Sequence, residues 1–131
     1  YISDHNLVAV ISHSLGTNFS NIFNKQNQVL NFNICPMVYS KRINIDNFNI
    51  ELQSRIKFKD VKLRTNENLT LKLIEDSKGF ISDRIFYLIP KDDEFFIYDF
   101  PCDIQKINFS GNHFDIDNAL KLIVNKLESE I

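Results

Sequence analysis

The stretch Leu7-Val-Ala-Val-Ile-Ser-His-Ser14-Leu-Gly16 decides the fold that we expect for this chain. Five apolar residues lead into a tight turn, and apolar side chains at helical spacing follow between Thr17 and Asn24. A strand, a sharp turn and a helix in this order are typical of a nucleophile elbow, in which the positions two before and two after the nucleophile must be small. Those positions are Ser12 and Gly16, although the first is usually glycine. Five-residue patterns also arise by chance, so the interpretation depends on the flanking strand and helix.

An elbow at this place predicts a specific chemistry for Ser14. The turn holds the serine hydroxyl at the carboxyl end of the strand, while the amide of Leu15, at the start of the helix, faces any oxyanion that forms there. A serine hydroxyl is a poor nucleophile at neutral pH and needs a base, usually histidine, within about 2.6–3.2 Å. The rest of the chain should therefore supply a histidine and an acid.

The composition limits the possible classes of protein. A chain of 131 residues with 44% hydrophobic content and 12 Phe is long and apolar enough for a single domain, residues 1–131, with one core. The net charge of −2, with Lys and Arg dispersed, argues against a nucleic-acid partner, and the apolar runs are too short for a membrane span. The only cysteines, Cys35 and Cys102, lie outside any C-x-x-C spacing, which fits a reducing, cytoplasmic compartment best. We expect no cofactor.

The hydrophobic pattern predicts an α/β fold with a mainly parallel sheet flanked by helices. A polar link after the first helix leads into a second apolar run that stops at Pro36, and a helix between two strands implies a parallel, right-handed crossover. We expect strands near residues 7–12, 29–35, 84–89 and 104–109, and helices near residues 15–24 and 116–129.

The middle of the chain is harder to interpret. Phe48, Ile50, Leu52, Ile56 and Phe58 alternate as in a strand, while residues 69–74 fit either a strand or a short helix. No glycine, proline or repeat marks a linker between Met37 and Gly79, so we expect residues 40–80 to pack on the same core as a cover over the site.

Two later loops supply the residues that Ser14 needs. The apolar run 84–89 ends in Pro90-Lys-Asp-Asp-Glu94, and the last strand runs into a loop that carries His113. Taken singly, Asp92 and Asp93 fit a solvated turn and His113 fits a loop residue next to a helix that Asp115 or Asp117 would cap. Taken together, each follows a predicted strand, which favours a catalytic triad.

The order Ser14, then Asp92 or Asp93, then His113 resembles that of the α/β-hydrolase superfamily, and most closely small bacterial esterases and acyl-thioesterases. In that superfamily the nucleophile follows the fifth strand, the acid the seventh and the histidine the eighth, in a G-x-H loop like Gly111-Asn-His113. The resemblance covers residues 7–36 and 84–131 and implies Asp93 as the acid, with Asp92 as the second choice. It implies a serine hydrolase that cleaves a small-molecule or carrier-bound ester or thioester through an acyl-enzyme. The alternative is a non-catalytic α/β module that keeps the hydrolase frame for binding.

The resemblance lacks the first strands of the superfamily and the loop that supplies its second oxyanion amide. An elbow strand at the edge of a four-stranded sheet leaves apolar residues partly uncovered and amides unpaired. We therefore expect an upstream segment or a partner chain to flank residues 7–12 and to carry that amide.

Metal chemistry is the weaker interpretation of the acidic residues. His113, Asp115 and Asp117 alternate and could converge on an ion, but carboxylates are expected at the start of a helix anyway, so we predict no metal site.

The other polar candidates carry less weight. Asp60-Val-Lys62 with Glu51 or Glu75 resembles the acid-x-Lys of metal nucleases, but the preceding strand and the basic cluster of such enzymes are missing. His5 is expected in an exposed loop, and His13 is expected to act sterically beside the nucleophile.

Overall fold

The computed structural model describes residues 8–27, 29–43, 45–55, 67–78, 83–101 and 104–130. Six strands and four helices lie in these ranges. In chain order they are β1 (Ala9–His13), α1 (Gly16–Asn27), β2 (Leu30–Ile34), β3 (Ser40–Arg42), α2 (Ile45–Ser54), α3 (Glu67–Asp76), β4 (Ile85–Pro90), β5 (Phe96–Tyr98), β6 (Gln105–Phe109) and α4 (Asp117–Glu130).

The main sheet has four strands in the order β1-β2-β4-β6, and every neighbouring pair is parallel. The expected mainly parallel α/β sheet flanked by helices is thus confirmed. Its four strands and two flanking helices lie within one to three residues of the predicted bounds. Because the strands are parallel, the loops after β1, β4 and β6 all leave the same edge of the sheet, the one formed by the carboxyl ends of the strands.

One face of the sheet is apolar and packs against α4. Alternate residues of β2 and β4 point to this face, as expected for a two-residue period. The cluster consists of Leu30, Phe32, Ile34, Cys35, Phe86, Leu88, Phe109, Ala119 and Ile123. All of these side chains are buried, so this face forms the main core.

The other face of β2 is polar and is buried against α1. Asn33 Oδ1 accepts hydrogen bonds from the hydroxyls of Ser12 and Ser20, each at 2.8 Å, and Asn33 Nδ2 donates to Asn21 Oδ1 at 2.7 Å. Asn21 Nδ2 donates to the Tyr87 hydroxyl at 3.0 Å. We call these residues the amide network. They join α1 to β1, β2 and β4 through hydrogen bonds.

The described part of the middle of the chain is helical, although residues 48–52 alternate as in a strand and residues 69–74 fitted either a strand or a short helix. Phe48, Ile50 and Leu52 lie in α2, and residues 69–74 lie in α3. The alternation was misleading because Phe48 and Leu52 also lie four residues apart, which is one face of a helix, while Ile50 is 68% exposed. Ile56 and Phe58 lie outside the described residues.

A second, two-stranded sheet was not predicted. β3 pairs with β5 in antiparallel fashion, with Ser40 opposite Tyr98. Both strands are three residues long, too short for a hydrophobic period to be seen in the sequence. This small sheet places the segment after β4 beside the edge from which the site loops leave.

The elbow strand β1 has a single neighbour, β2, among the described strands. Val8 and Ile11 are 57% and 47% exposed. None of the helices in the described ranges combines the length and the apolar character needed to cross a membrane.

Gly111 supports the loop that follows β6, and this can be tested by substitution. A Cβ there would lie 2.3 Å from the carbonyl oxygen of Asp115 and 3.0 Å from the Phe109 ring. We expect Gly111→Ala to lower the free energy of unfolding by about 1–3 kcal/mol, measured by urea denaturation.

The matched control is Gly16→Ala in the elbow. A Cβ at Gly16 meets its nearest atom, Ser12 Cβ, at 3.8 Å, an ordinary contact. We expect no loss of stability there, and an equal loss in the two variants would contradict the steric argument.

Candidate active site

Ser14 occupies a strained turn between β1 and α1. Its φ angle is 55°, in the left-handed region, which costs a residue other than glycine on the order of 1–3 kcal/mol. Its amide donates to the carbonyl of Ile34 at 3.0 Å, and its carbonyl accepts from the amide and the hydroxyl of Thr17 at 3.0 and 2.6 Å. The Thr17 hydroxyl accepts in turn from the Met37 amide at 3.0 Å. These bonds fix the turn that points the serine hydroxyl away from the end of β1.

His113 lies between Ser14 and Asp93. Its Nε2 is 2.9 Å from Ser14 Oγ, and its Nδ1 is 3.0 Å from Asp93 Oδ2. The three residues come from the loops after β1, β4 and β6, which leave the same edge of the sheet. The structure therefore brings the predicted serine, histidine and first-choice acid into one hydrogen-bonded series.

Asp93 accepts hydrogen bonds on both carboxylate oxygens. Oδ1 accepts from the amides of Phe95 and Phe96 at 2.9 and 3.1 Å, and Oδ2 accepts from His113 and from the Tyr98 hydroxyl. The side chain is only 3% exposed. A buried carboxylate needs such partners, because without them desolvation would neutralise it.

Asp92, the second candidate for the acid, has a different environment. Its side chain is exposed, and its amide donates to the carbonyl of Gly111 at 3.2 Å. It therefore joins the turn after β4 to the loop after β6 through the backbone, while its neighbour faces the imidazole.

The charge state of Asp93 follows from the balance between burial and hydrogen bonding. Burial raises the pKa of its carboxyl, but hydrogen bonds from His113, from Tyr98 and from the Phe95 amide outweigh this, and the pKa lies below its ordinary value. Asp93 is therefore a carboxylate at neutral pH.

This charge state fixes the direction of the hydrogen bonds. A carboxylate only accepts, so Nδ1 of His113 carries a proton. In the neutral imidazole Nε2 is then the acceptor, and the Ser14 hydroxyl donates to it. His113 is thus oriented to take the serine proton.

The imidazole of His113 is fully buried among phenylalanine rings that we call the aromatic box: Phe48, Phe95, Phe96 and Phe114. Phe96 stacks on it, with ring centroids 4.9 Å apart and planes at 24°. Phe48, from α2, meets it edge-on at 5.2 Å. Residues of the middle segment thus contact the site.

The loop that carries His113 is held at several points. Asn112 Oδ1 accepts from the amides of Phe114 and Asp115 at 2.9 and 2.8 Å. His13 Nε2 lies 2.6 Å from the carbonyl oxygen of His113, so it must donate. Burial lowers the pKa of His13 despite this hydrogen bond, which favours the neutral form. His13, expected to act sterically, thus ties the elbow to the histidine loop.

Cys35, Asp93 and His113 are the group of described residues with metal-ligating atoms in mutual reach, within 4.8 Å of one another. However, Nδ1 and Oδ2 already bond to each other, and burial raises the pKa of the Cys35 thiol, which disfavours the thiolate that a metal requires. Their chemistry fits the hydrogen bond between His113 and Asp93 better than a metal site. The same high pKa argues against Cys35 as a nucleophile.

The other predicted residues lie as follows. Leu15 is 40% exposed in the turn before α1, Ser12 belongs to the amide network, and Gly16 is the first residue of α1. Asp115 and Asp117 are exposed at the start of α4.

The residues of the nuclease-like pattern do not converge in the described part of the chain. Glu51 pairs with Arg55 at 2.8 Å and Glu75 with Lys78 at 3.5 Å, both near the surface. His5 and residues 60–62 lie outside the described residues.

Tyr98 and the aromatic box were not found from the sequence. A usable signal existed, because Phe96 and Tyr98 are two residues apart in a short run directly after the candidate acid and so share one face of a strand. Ile97 between them is 55% exposed, which agrees with this period.

Comparison with models of protein families, with curated proteins and with solved structures gives no match to this chain.

The depressed pKa of Asp93 predicts how stability depends on pH. Because the folded-state pKa lies below the ordinary value of 3.8, the ionised carboxylate stabilises the fold above that pH, and the contribution is lost as the pH falls through the folded-state pKa. We expect Asp93→Asn to lower the free energy of unfolding at pH 7 by about 1.5–3 kcal/mol. The difference in the free energy of unfolding between this variant and the unsubstituted protein, measured by urea titration, should become smaller below pH 4.

The matched control is Asp92→Asn, which alters an exposed carboxylate next in sequence. It should change stability by less than about 0.5 kcal/mol. If the stability difference between Asp93→Asn and the unsubstituted protein stays constant between pH 7 and pH 3, the charge of Asp93 does not contribute to the stability of the fold.

Proposed function

We propose that this protein is a serine hydrolase that cleaves a carboxylic ester or thioester. The observation that carries the proposal is the hydrogen-bonded series Ser14–His113–Asp93, with separations of 2.9 and 3.0 Å. The strained backbone of Ser14 adds support, because such outliers cluster at active sites.

The strand order supports an α/β-hydrolase assignment as part of this proposal. In the main sheet the nucleophile follows β1, the acid follows β4 and the histidine follows β6. Strand β2 lies between β1 and β4. This matches the order in which the superfamily places these residues after its fifth, seventh and eighth strands.

Each residue then has a role in the reaction. Ser14 Oγ attacks the acyl carbonyl while His113 Nε2 takes its proton, and Asp93 stabilises the imidazolium that results. His113 next gives the proton to the leaving alcohol or thiol, which leaves the acyl group on Ser14. His113 then takes a proton from water, whose oxygen attacks the acyl carbon. The bond from the acyl carbon to Ser14 Oγ breaks, and His113 returns the proton to Oγ as the acid leaves.

The aromatic box shields the faces of the imidazole from bulk water, while Nε2 points to the half-buried Ser14. Exclusion of water strengthens the attraction between the imidazolium and the Asp93 carboxylate, since the local dielectric is low. The Leu15 amide is assigned to the oxyanion, and one such donor typically contributes roughly 10²–10³ in rate.

The test is labelling with a fluorophosphonate probe, followed by hydrolysis of p-nitrophenyl acetate. We expect the probe to label Ser14, and Ser14→Ala to abolish labelling and lower the rate at least about 10³-fold.

The matched control is Ser129→Ala on α4, where an exposed serine donates to the Lys126 carbonyl of its own helix. That variant should keep full labelling and rate. A folded protein that is not labelled would favour the alternative, a non-catalytic α/β binding module.

A further inference from the structure

The carboxylate of Asp93 has a second side-chain donor that the triad mechanism does not use. The Tyr98 hydroxyl bonds to Oδ2, the same oxygen that accepts from His113 Nδ1, while Oδ1 is occupied by two backbone amides. A fully occupied carboxylate cannot rotate without breaking several hydrogen bonds.

The small sheet positions Tyr98 for this contact. Tyr98 ends β5 and pairs with Ser40 of β3, and its ring stacks on Phe100 with planes at 6°. Burial, together with the neighbouring Cys35 and Asp93, raises the pKa of the hydroxyl far above its ordinary value. Tyr98 is therefore protonated at neutral pH, and it donates to the carboxylate.

We propose that Tyr98 is a positioning residue that shares Asp93 Oδ2 with His113 and thereby sets the pH at which the triad loses its base. The inference rests on the proposed hydrolase function. Two donors on one oxygen divide its negative charge, so each is held less strongly than it would be alone. The imidazolium form of the triad is correspondingly less favoured than it would be without Tyr98.

Other titratable groups face the triad but do not replace this contact. His13 reaches the backbone carbonyl of His113 from β1, and the Cys35 thiol lies beside the triad after β2. From α2 the neighbour is the uncharged ring of Phe48, and Arg55 lies over Phe114. Tyr98 alone among the described side chains joins His113 in bonding to the Asp93 carboxylate.

The first test is Tyr98→Phe, which removes the hydroxyl and keeps the ring. Asp93 Oδ2 then accepts a side-chain hydrogen bond from His113 alone, so the protonated form of the triad should persist to higher pH. The acidic limb of the kcat/KM profile for p-nitrophenyl acetate should move up by about one pH unit. The plateau value of kcat should fall roughly tenfold, because the carboxylate loses one of its restraints.

The matched control is Tyr87→Phe. Tyr87 is buried, and its hydroxyl accepts a hydrogen bond from Asn21 in the amide network. We expect Tyr87→Phe to lose about as much stability as Tyr98→Phe, while the acidic limb of its kcat/KM profile stays where it is in the unsubstituted protein. A limb that stays in place in Tyr98→Phe, or that moves equally in both variants, would overturn the proposal.

The second test does not depend on catalysis or on the variants folding. In proton NMR spectra of the unsubstituted protein, the His113 Nδ1 proton and the Tyr98 hydroxyl proton should both appear at low field and show a mutual nuclear Overhauser effect, because they bond to one oxygen. Absence of that cross-peak, with the His113 resonance present, would show that Tyr98 does not share the oxygen. If the cross-peak is present but no ester or thioester is hydrolysed, the proposed function fails while the placement of Tyr98 stands.

Discussion

The left-handed backbone of Ser14 is the constraint on which the site depends. At a φ of 55° a serine is strained, and the turn persists because the surrounding backbone bonds to it on both sides. The bond from the Ser14 amide to Ile34 extends the pairing of β1 with β2 beyond the last residue of the strand. The position of Ser14 is therefore set by the main sheet as well as by the loop.

A second constraint is electrostatic and concerns the buried carboxylate. Removing Asp93 from water is costly, and the offset comes from donors in three places: the turn after β4, the end of β5 and the loop after β6. All three lie beyond the predicted strands, and one of them, the end of β5, belongs to the small sheet. The small β3–β5 sheet, minor in area, is thus important for the charge state of the site.

The parts of the fold that could be predicted are those in which hydrophobic period and length agree. The strands and helices around Ser14 and His113 have clear periods, and their order in the chain was enough to predict that Ser14, His113 and Asp93 lie close together. Prediction failed where several periods fit the same residues, as in α2, where Phe48 and Leu52 satisfy both a strand and a helix. It also failed for Tyr98, because a three-residue strand has no measurable period and its partner β3 is more than fifty residues away in the chain.

The asparagines of β2 show a limit of another kind. An alternating strand predicts one wet face, yet Asn31 and Asn33 are 1% and 0% exposed. A sequence does not reveal that a polar face will be covered by an equally polar helix. Apolar contacts tolerate sliding, whereas paired amides with directional hydrogen bonds fit in one register, so the amide network fixes where α1 lies along the sheet. Since Ser12 belongs to that network and precedes Ser14 by two residues, the polar interface behind the sheet and the strained turn at its edge form one continuous support for the Ser14 side chain.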